Sequence, residues 1–159
     1  MSLLSKYLLI FFVSMVPLVE LRLAVPMAVG MGLDYFPSLL TCVLGNLIPV
    51  PFIYLFARKV LVWGADKKYV GKFFRFFLEK GEKAGKKLTE KGGRGGLFIA
   101  LMLFVGIPLP GTGAWTGTLG ASFLNMGFKS TTLSVCFGVI IAGIIMAVAS
   151  TGVFSIIGL

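Results

Sequence analysis

The charged positions of this chain are clustered, and the stretches between them set its elements. Lys6 and Glu20 bracket the uncharged residues 7–19, and Arg94 and Pro108 bracket the uncharged residues 95–107. Each run is thirteen residues long. As a helix it would reach about 20 Å, against a hydrocarbon layer of about 30 Å. Both runs end in helix-breaking chemistry. Pro17-Leu18-Val19-Glu20-Leu21-Arg22 and then Pro26 follow the first; Pro108-Leu109-Pro110-Gly111-Thr112-Gly113 follows the second. The chain then returns through small residues, to Asp34 in one case and Asn125 in the other. The pattern predicts two re-entrant hairpins, about 3–33 and 95–125. Irregular backbone at membrane depth must be packed in protein or line a wet cavity, so the two tips are expected to pack against each other.

A long apolar run follows each hairpin. Residues 35–57 carry Asn46, Pro49 and Pro51 within one transmembrane helix, about 35–61. The second, about 129–157, is rich in the glycine and alanine that permit close helix packing. Superposing Pro17 on Pro108, a shift of 91, places Asp34 on Asn125 and Gly30 on Ala121. The expected fold is therefore an all-α integral membrane protein with an internal inverted repeat. Its first repeat is 1–62, its linker 63–94 and its second repeat 95–159. The rival topology has four plain spans. Four spans place both termini in the cytosol; two hairpin-plus-span units place both outside, with Lys129 inside and Asp34 outside, as the positive-inside rule prefers. Residues 1–24 lack a small-x-small cleavage site and are read as hairpin rather than signal peptide.

Composition agrees with a membrane protein. Of 159 residues, 57% are hydrophobic and 13% charged, where a soluble domain carries about 25% charged residues. The net charge of +9 raises nucleic acid as a partner, but its distribution argues otherwise. Twelve of the fifteen basic residues lie between Arg58 and Arg94, which keeps that linker in the cytosol. Phe73, Phe76 and Phe77 share one helical face there, while Lys68, Lys72 and Arg75 lie largely on another. This is the pattern of a helix lying among lipid headgroups, where it fixes topology or binds anionic lipid. Farther on, Glu79/Lys83 and Glu82/Lys86 make an ordinary solvated helix.

The chemistry available is narrow. The chain has no histidine, and Cys42 and Cys136 match no metal or redox spacing. No nucleophile–base pair or metal-ligand cluster can be assembled, so neither an enzyme nor a cofactor site is expected. Glu20 and Arg22 stand out because a charge at a buried tip costs about 2.5–3.5 kcal/mol on insertion scales. At i and i+2 in a broken tip, each can reach a different partner. They either tie the hairpins together by bonding freed backbone groups, or act in transport. In the second case Glu20 takes up and releases a proton, and Arg22 meets an anionic group. The uncharged tip Pro108–Gly117, including Thr112, Trp115 and Thr116, can line a polar path where broken helices meet, as in many secondary transporters.

Three motifs in order carry a resemblance: Glu20-Leu21-Arg22 with Pro26; Gly45-Asn46-Leu47-Ile48-Pro49-Val50-Pro51; and Ile107-Pro108-Leu109-Pro110-Gly111-Thr112-Gly113-Ala114-Trp115-Thr116-Gly117. The chain resembles the small multi-drug export protein family, which is similar in turn to the DedA superfamily of facing re-entrant hairpins. The acidic and arginine positions of that superfamily's second hairpin are absent here. The resemblance implies a small secondary transporter of a prokaryotic inner membrane, with Glu20, Arg22, Pro26, Asn46, Pro49, Pro51, Pro108, Pro110, Gly111, Thr112, Gly113, Trp115 and Thr116 as its site. Proton-coupled movement of an amphipathic or anionic substrate, such as a lipid-linked phosphate, is the leading expectation. Uncoupled lipid scrambling and a structural or partner-binding role are the alternatives. Two span-plus-hairpin units make a thin wall, so a homodimer or larger assembly is expected, with membrane lipids as partners and no nucleic acid.

Overall fold

The first uncharged run falls largely in a short helix and the second at the end of a long, kinked one, and prolines follow both. A computed structural model describes residues 2–67, 71–109 and 111–157; between 71 and 90 the described side chains are those of Lys72, Arg75, Phe76, Glu79, Lys83, Lys86 and Glu90. Among the described residues the chain is all helical: α1 Leu3–Met15, α2 Glu20–Gly30, α3 Tyr35–Leu47, α4 Pro49–Ala65, α5 Gly71–Gly106, α6 Ala114–Phe123 and α7 Phe128–Ile157. The Ser2 hydroxyl caps α1 by accepting from the Ser5 N–H.

Helices α3 and α4 are nearly one rod. Ile48, between them, keeps helical backbone angles, but Pro49 and Pro51 have no N–H to give to the carbonyls one turn earlier. Residues Tyr35–Ala65 and Phe128–Gly152 are each long and apolar enough to cross a membrane. The 31-residue rod measures about 46 Å at 1.5 Å per residue. The helix itself continues to Ala65. The linker and the arm that follows it, together α5, are two helical segments that meet at a kink at Gly93, where φ is 65° and ψ −177°. Only a residue without a Cβ takes that conformation without strain.

The hairpins lie along different halves of the rod. α1 packs beside α2 and against α3, whereas α6 and α5 pack against α4, and α2 and α5 both contact α7. The core that results joins all of these elements: Ile10, Leu21 and Ala24 from the first hairpin, Val50 from the rod, Val105 and Ala114 from the second hairpin, and Val135 and Val139 from α7. Large apolar side chains such as Phe52, Phe56, Trp63 and Val148 point outward, as a surface facing lipid requires.

Bonding in the first half recurs in the second. The turn after α2 is closed by Met31 N–H to Met27 O, Gly32 N–H to Val29 O and Leu33 N–H to Ala28 O. Leu124 N–H to Gly120 O, Asn125 N–H to Ser122 O and Met126 N–H to Ala121 O close the turn after α6, each 93 residues later. Gly32 and Asn125 both take positive φ, 66° and 56°, which glycine and asparagine tolerate best. Asp34 stands at the N-cap position of α3, but its side chain makes no capping bond.

Two glycines set how closely the arms approach the spans. A Cβ at Gly45 would stand 2.5 Å from the Phe11 carbonyl oxygen, and one at Gly138 would stand 2.7 Å from both the Met102 carbonyl oxygen and Val105 Cβ. The obstacles at Gly138 are a backbone oxygen and a Cβ held directly by its backbone, neither of which can swing away. Gly138→Val is therefore expected to destabilise the fold by about 1–3 kcal/mol, the cost of overpacking a filled core. Thermal unfolding of the solubilised protein checks it, with Gly152→Val, at a position open for 4 Å around, as the control.

Candidate functional site

The two broken tips meet and satisfy each other's helix ends. Helix α6 begins after Gly113, which has no side chain to cap it. The cap comes from the other hairpin: the Glu20 carboxylate accepts from Trp115 N–H at 3.0 Å and Ala114 N–H at 3.3 Å. A carboxylate there meets both the unpaired N–H groups and the positive end of the α6 dipole. Glu20 is only 3% exposed. Its backbone has φ 51° and that of nearby Leu18 has φ 67°; such angles in non-glycine residues cost about 1–3 kcal/mol and gather at functional sites.

A further bond from the second tip satisfies the end of α1. The Trp115 indole N–H donates to the carbonyl of Met15, the last residue of α1, at 3.2 Å. Arg22 Nη2 donates to Thr112 Oγ1 at 2.8 Å. That hydroxyl lies 2.8 Å from Ile107 O and 2.9 Å from Leu109 O, so it passes the arginine's grip on to the carbonyls of the tip just beyond α5. Sequence reasoning had Glu20 and Arg22 reaching different partners at the tip, and both partners prove to be in the second tip.

Gly113 is extended, with φ 178°, so its backbone suits any residue. Space is what demands glycine there. A Cβ would stand 2.7 Å from Glu20 Cδ and nearer still to a carboxylate oxygen. Gly111 differs, with φ 82° and nothing within 4 Å of where a Cβ would stand.

The remaining expected site residues are placed less tightly. Pro26 lies inside α2, Pro49 starts α4, and Pro51 follows in its first turn. Asn46 is buried near the end of α3, beside Gly45, which abuts Ser14 of α1. Its Oδ1 has no hydrogen-bond partner among the described residues. Thr116 Oγ1 donates weakly to Gly113 O at 3.4 Å. Pro108 leads into the tip and is half-buried; Pro110 lies outside the described residues.

Arg75 has a further partner: its Nε donates to Ala65 O at 2.9 Å and so caps the end of α4, while the side chain stays exposed. Lys72 and Phe76 are exposed, while Lys68 and the side chains of Phe73 and Phe77 lie outside what is described. Sequence reasoning missed Trp115 as a donor to α1, and it missed Tyr54, whose hydroxyl donates to Met126 O across the halves. One signal was available for the Glu20 cap: a helix starting after Gly113 lacks an N-cap side chain of its own, so an acceptor had to come from elsewhere.

Two helices long and apolar enough to cross a membrane, packed with helical hairpins that are joined through a buried carboxylate, fit a small helical membrane protein. A family model matches residues 20–145, from Glu20 through most of α7. The chain belongs to the small multi-drug export protein family. No curated protein and no solved structure matches it.

Proposed function

We propose that this protein is a secondary transporter that moves an amphipathic or anionic substrate, with Glu20 coupling that movement to protons. The family's name, that of an export protein, supports the general role. The proton-coupled reading is carried by one observation: the Glu20 carboxylate of one hairpin is the cap of α6 in the other. An ionised carboxylate accepts both N–H groups, whereas a protonated one has surrendered an acceptor to its own O–H. Protonation therefore loosens the joint between the tips, and ionisation restores it. Two arrangements of the tips, biased by one proton, are what coupling needs.

In this reading the halves form an inverted repeat. The recurrence of the turn bonds 93 residues apart supports it, as does the placement of one hairpin along α3 and the other along α4. Arms of 13 residues, about 20 Å each, reach the middle from opposite faces. Counted by the turn bonds, Gly32 corresponds to Asn125 and Asp34 to Gly127. The shift is 91 along the first arms and 93 beyond the tips, because the second tip is longer.

A second reading has its own support. Both charged side chains of the first tip are used in cross-tip bonds, which suffices for a purely architectural role. Transbilayer movement separates the readings. In proteoliposomes carrying fluorescent phosphatidylglycerol, an imposed pH gradient is expected to accelerate lipid movement, and Glu20→Gln is expected to remove the acceleration while the protein stays folded. Movement indifferent to the gradient would mean uncoupled scrambling. Absence of movement in the wild type would leave the architectural role.

A further inference from the structure

The second hairpin holds a groove with an amphipathic lining. Between α5 and α6 a cavity of about 260 Å³ is walled by Leu97, Ala100, Phe104, Gly117, Gly120 and Leu124. Its wall is almost wholly apolar. A second cavity, of about 420 Å³, shares Leu97, Leu124 and Met126 with it and is lined further by Arg94, Asn125 and Ser130. The two therefore adjoin: a greasy trough whose end borders a mouth lined by one cation and two neutral polar groups. The mouth sits at the turn after α6 and at the bend of α5, since Gly93 precedes Arg94.

The first hairpin shows that this is not a necessity of the fold. Where the second hairpin has Gly120, the first, 93 residues earlier, has Met27. Where the second has Leu97, the first, 91 residues earlier, has Lys6, whose Nζ donates to Met31 O at 2.8 Å and so bolts α1 to the end of α2. In place of Arg94 it has Leu3, and in place of Ser130 it has Pro37. The side chains that would fill the trough and neutralise its mouth are present in one hairpin and replaced in the other.

We infer that this trough binds an anionic phospholipid, one acyl chain lying along Leu97, Phe104 and Gly120 and the headgroup phosphate meeting Arg94. Charge and polarity select that occupant. An apolar trough alone would accept any lipid tail, but a guanidinium at its open end favours a tail joined to a phosphate, which it can grip with two parallel N–H bonds. Arg94 is also the last cation of the basic linker, so the site lies where anionic lipid gathers if the linker is cytosolic. The inference does not rest on transport, because a lipid can be held there without being moved.

Native mass spectrometry of the full-length protein in detergent tests it, with phosphatidylglycerol and phosphatidylcholine of matched chains as probes. The wild type is expected to retain phosphatidylglycerol about fivefold better than phosphatidylcholine, as one surface cation provides. Gly120→Met fills the trough, and nothing within 4 Å obstructs a Cβ there; it is expected to lower retention of both lipids. Arg94→Gln is expected to erase the preference and spare phosphatidylcholine. Lys91→Gln, an exposed cation outside both linings, is expected to change neither. Undiminished phosphatidylglycerol binding in Gly120→Met overturns the site. So does a Lys91→Gln effect equal to that of Arg94→Gln, which would mean generic attraction to a basic surface.

Discussion

Gly113→Ala is expected to uncouple the two tips and to destabilise the protein by about 3–5 kcal/mol, the usual cost of leaving a buried charge without its partner. The reason is steric and local. The new Cβ would lie 2.7 Å from Glu20 Cδ, so the carboxylate must leave Ala114 N–H and Trp115 N–H. Hydrogen bonds to a charged group contribute about 1.5–3 kcal/mol each, and the N-terminus of α6 then has no cap. Gradient-driven lipid movement is expected to fall with stability, because both depend on the same pair of bonds.

Two comparisons isolate that cause. Gly111→Ala, two residues away, meets open space but must hold φ near 82°; its cost is a backbone penalty of about 1 kcal/mol. The stronger comparison is a double-mutant cycle. With Glu20 already replaced by alanine, the Cβ at position 113 has no carboxylate to strike, so Gly113→Ala should cost little more. Residues in direct contact give such non-additive results. Chemical denaturation and movement assays on the four proteins measure the cycle. If the two substitutions simply add, the Glu20–Gly113 contact is not what makes glycine necessary.

Much of this arrangement is legible in the amino-acid order alone, and what is legible has a local cause. The lengths of the uncharged runs mark α1, and the clustered prolines mark both tips, because chain length against bilayer thickness and the missing N–H of proline act within a few residues. Glu20 and Arg22 stand out on the same ground, as charges where apolar neighbours make charge expensive. What is not legible depends on pairing across the chain. Nothing near Glu20 says that its partners are the N–H groups of Ala114 and Trp115, or that the Trp115 indole returns to Met15. Also hidden is the spacing of the turn bonds, which recur 93 residues apart where superposing Pro17 on Pro108 gives 91. Arg75 illustrates a different limit. Helical spacing puts it on the face with Lys68 and Lys72, but spacing cannot show that the end of α4 lies close enough to claim it through Ala65 O.

The sides of the membrane on which the turns lie form the second large prediction, and its outcome is all or none. With Cys42 and Cys136 replaced by alanine, single cysteines at Ser2, Asp34 and Gly127 can be probed with an impermeant thiol reagent on intact cells. Hairpins that enter from opposite faces put Ser2 and Asp34 outside and Gly127 inside, so the first two should label and the third should label only after permeabilisation. Four plain spans reverse two of the three, placing Ser2 inside and Gly127 outside. Geometry favours the first result: α1 and α2 pack side by side along α3, as a returning hairpin does and a single continuous span cannot. Lys129, two residues beyond Gly127, adds a charge argument, since a cation close to a span end prefers the cytosol. External labelling of Gly127 would break the opposed-hairpin scheme, and with it the proposal that protonation of Glu20 opens a joint between two halves facing opposite sides. The bond between Glu20 and α6 would then survive only as architecture.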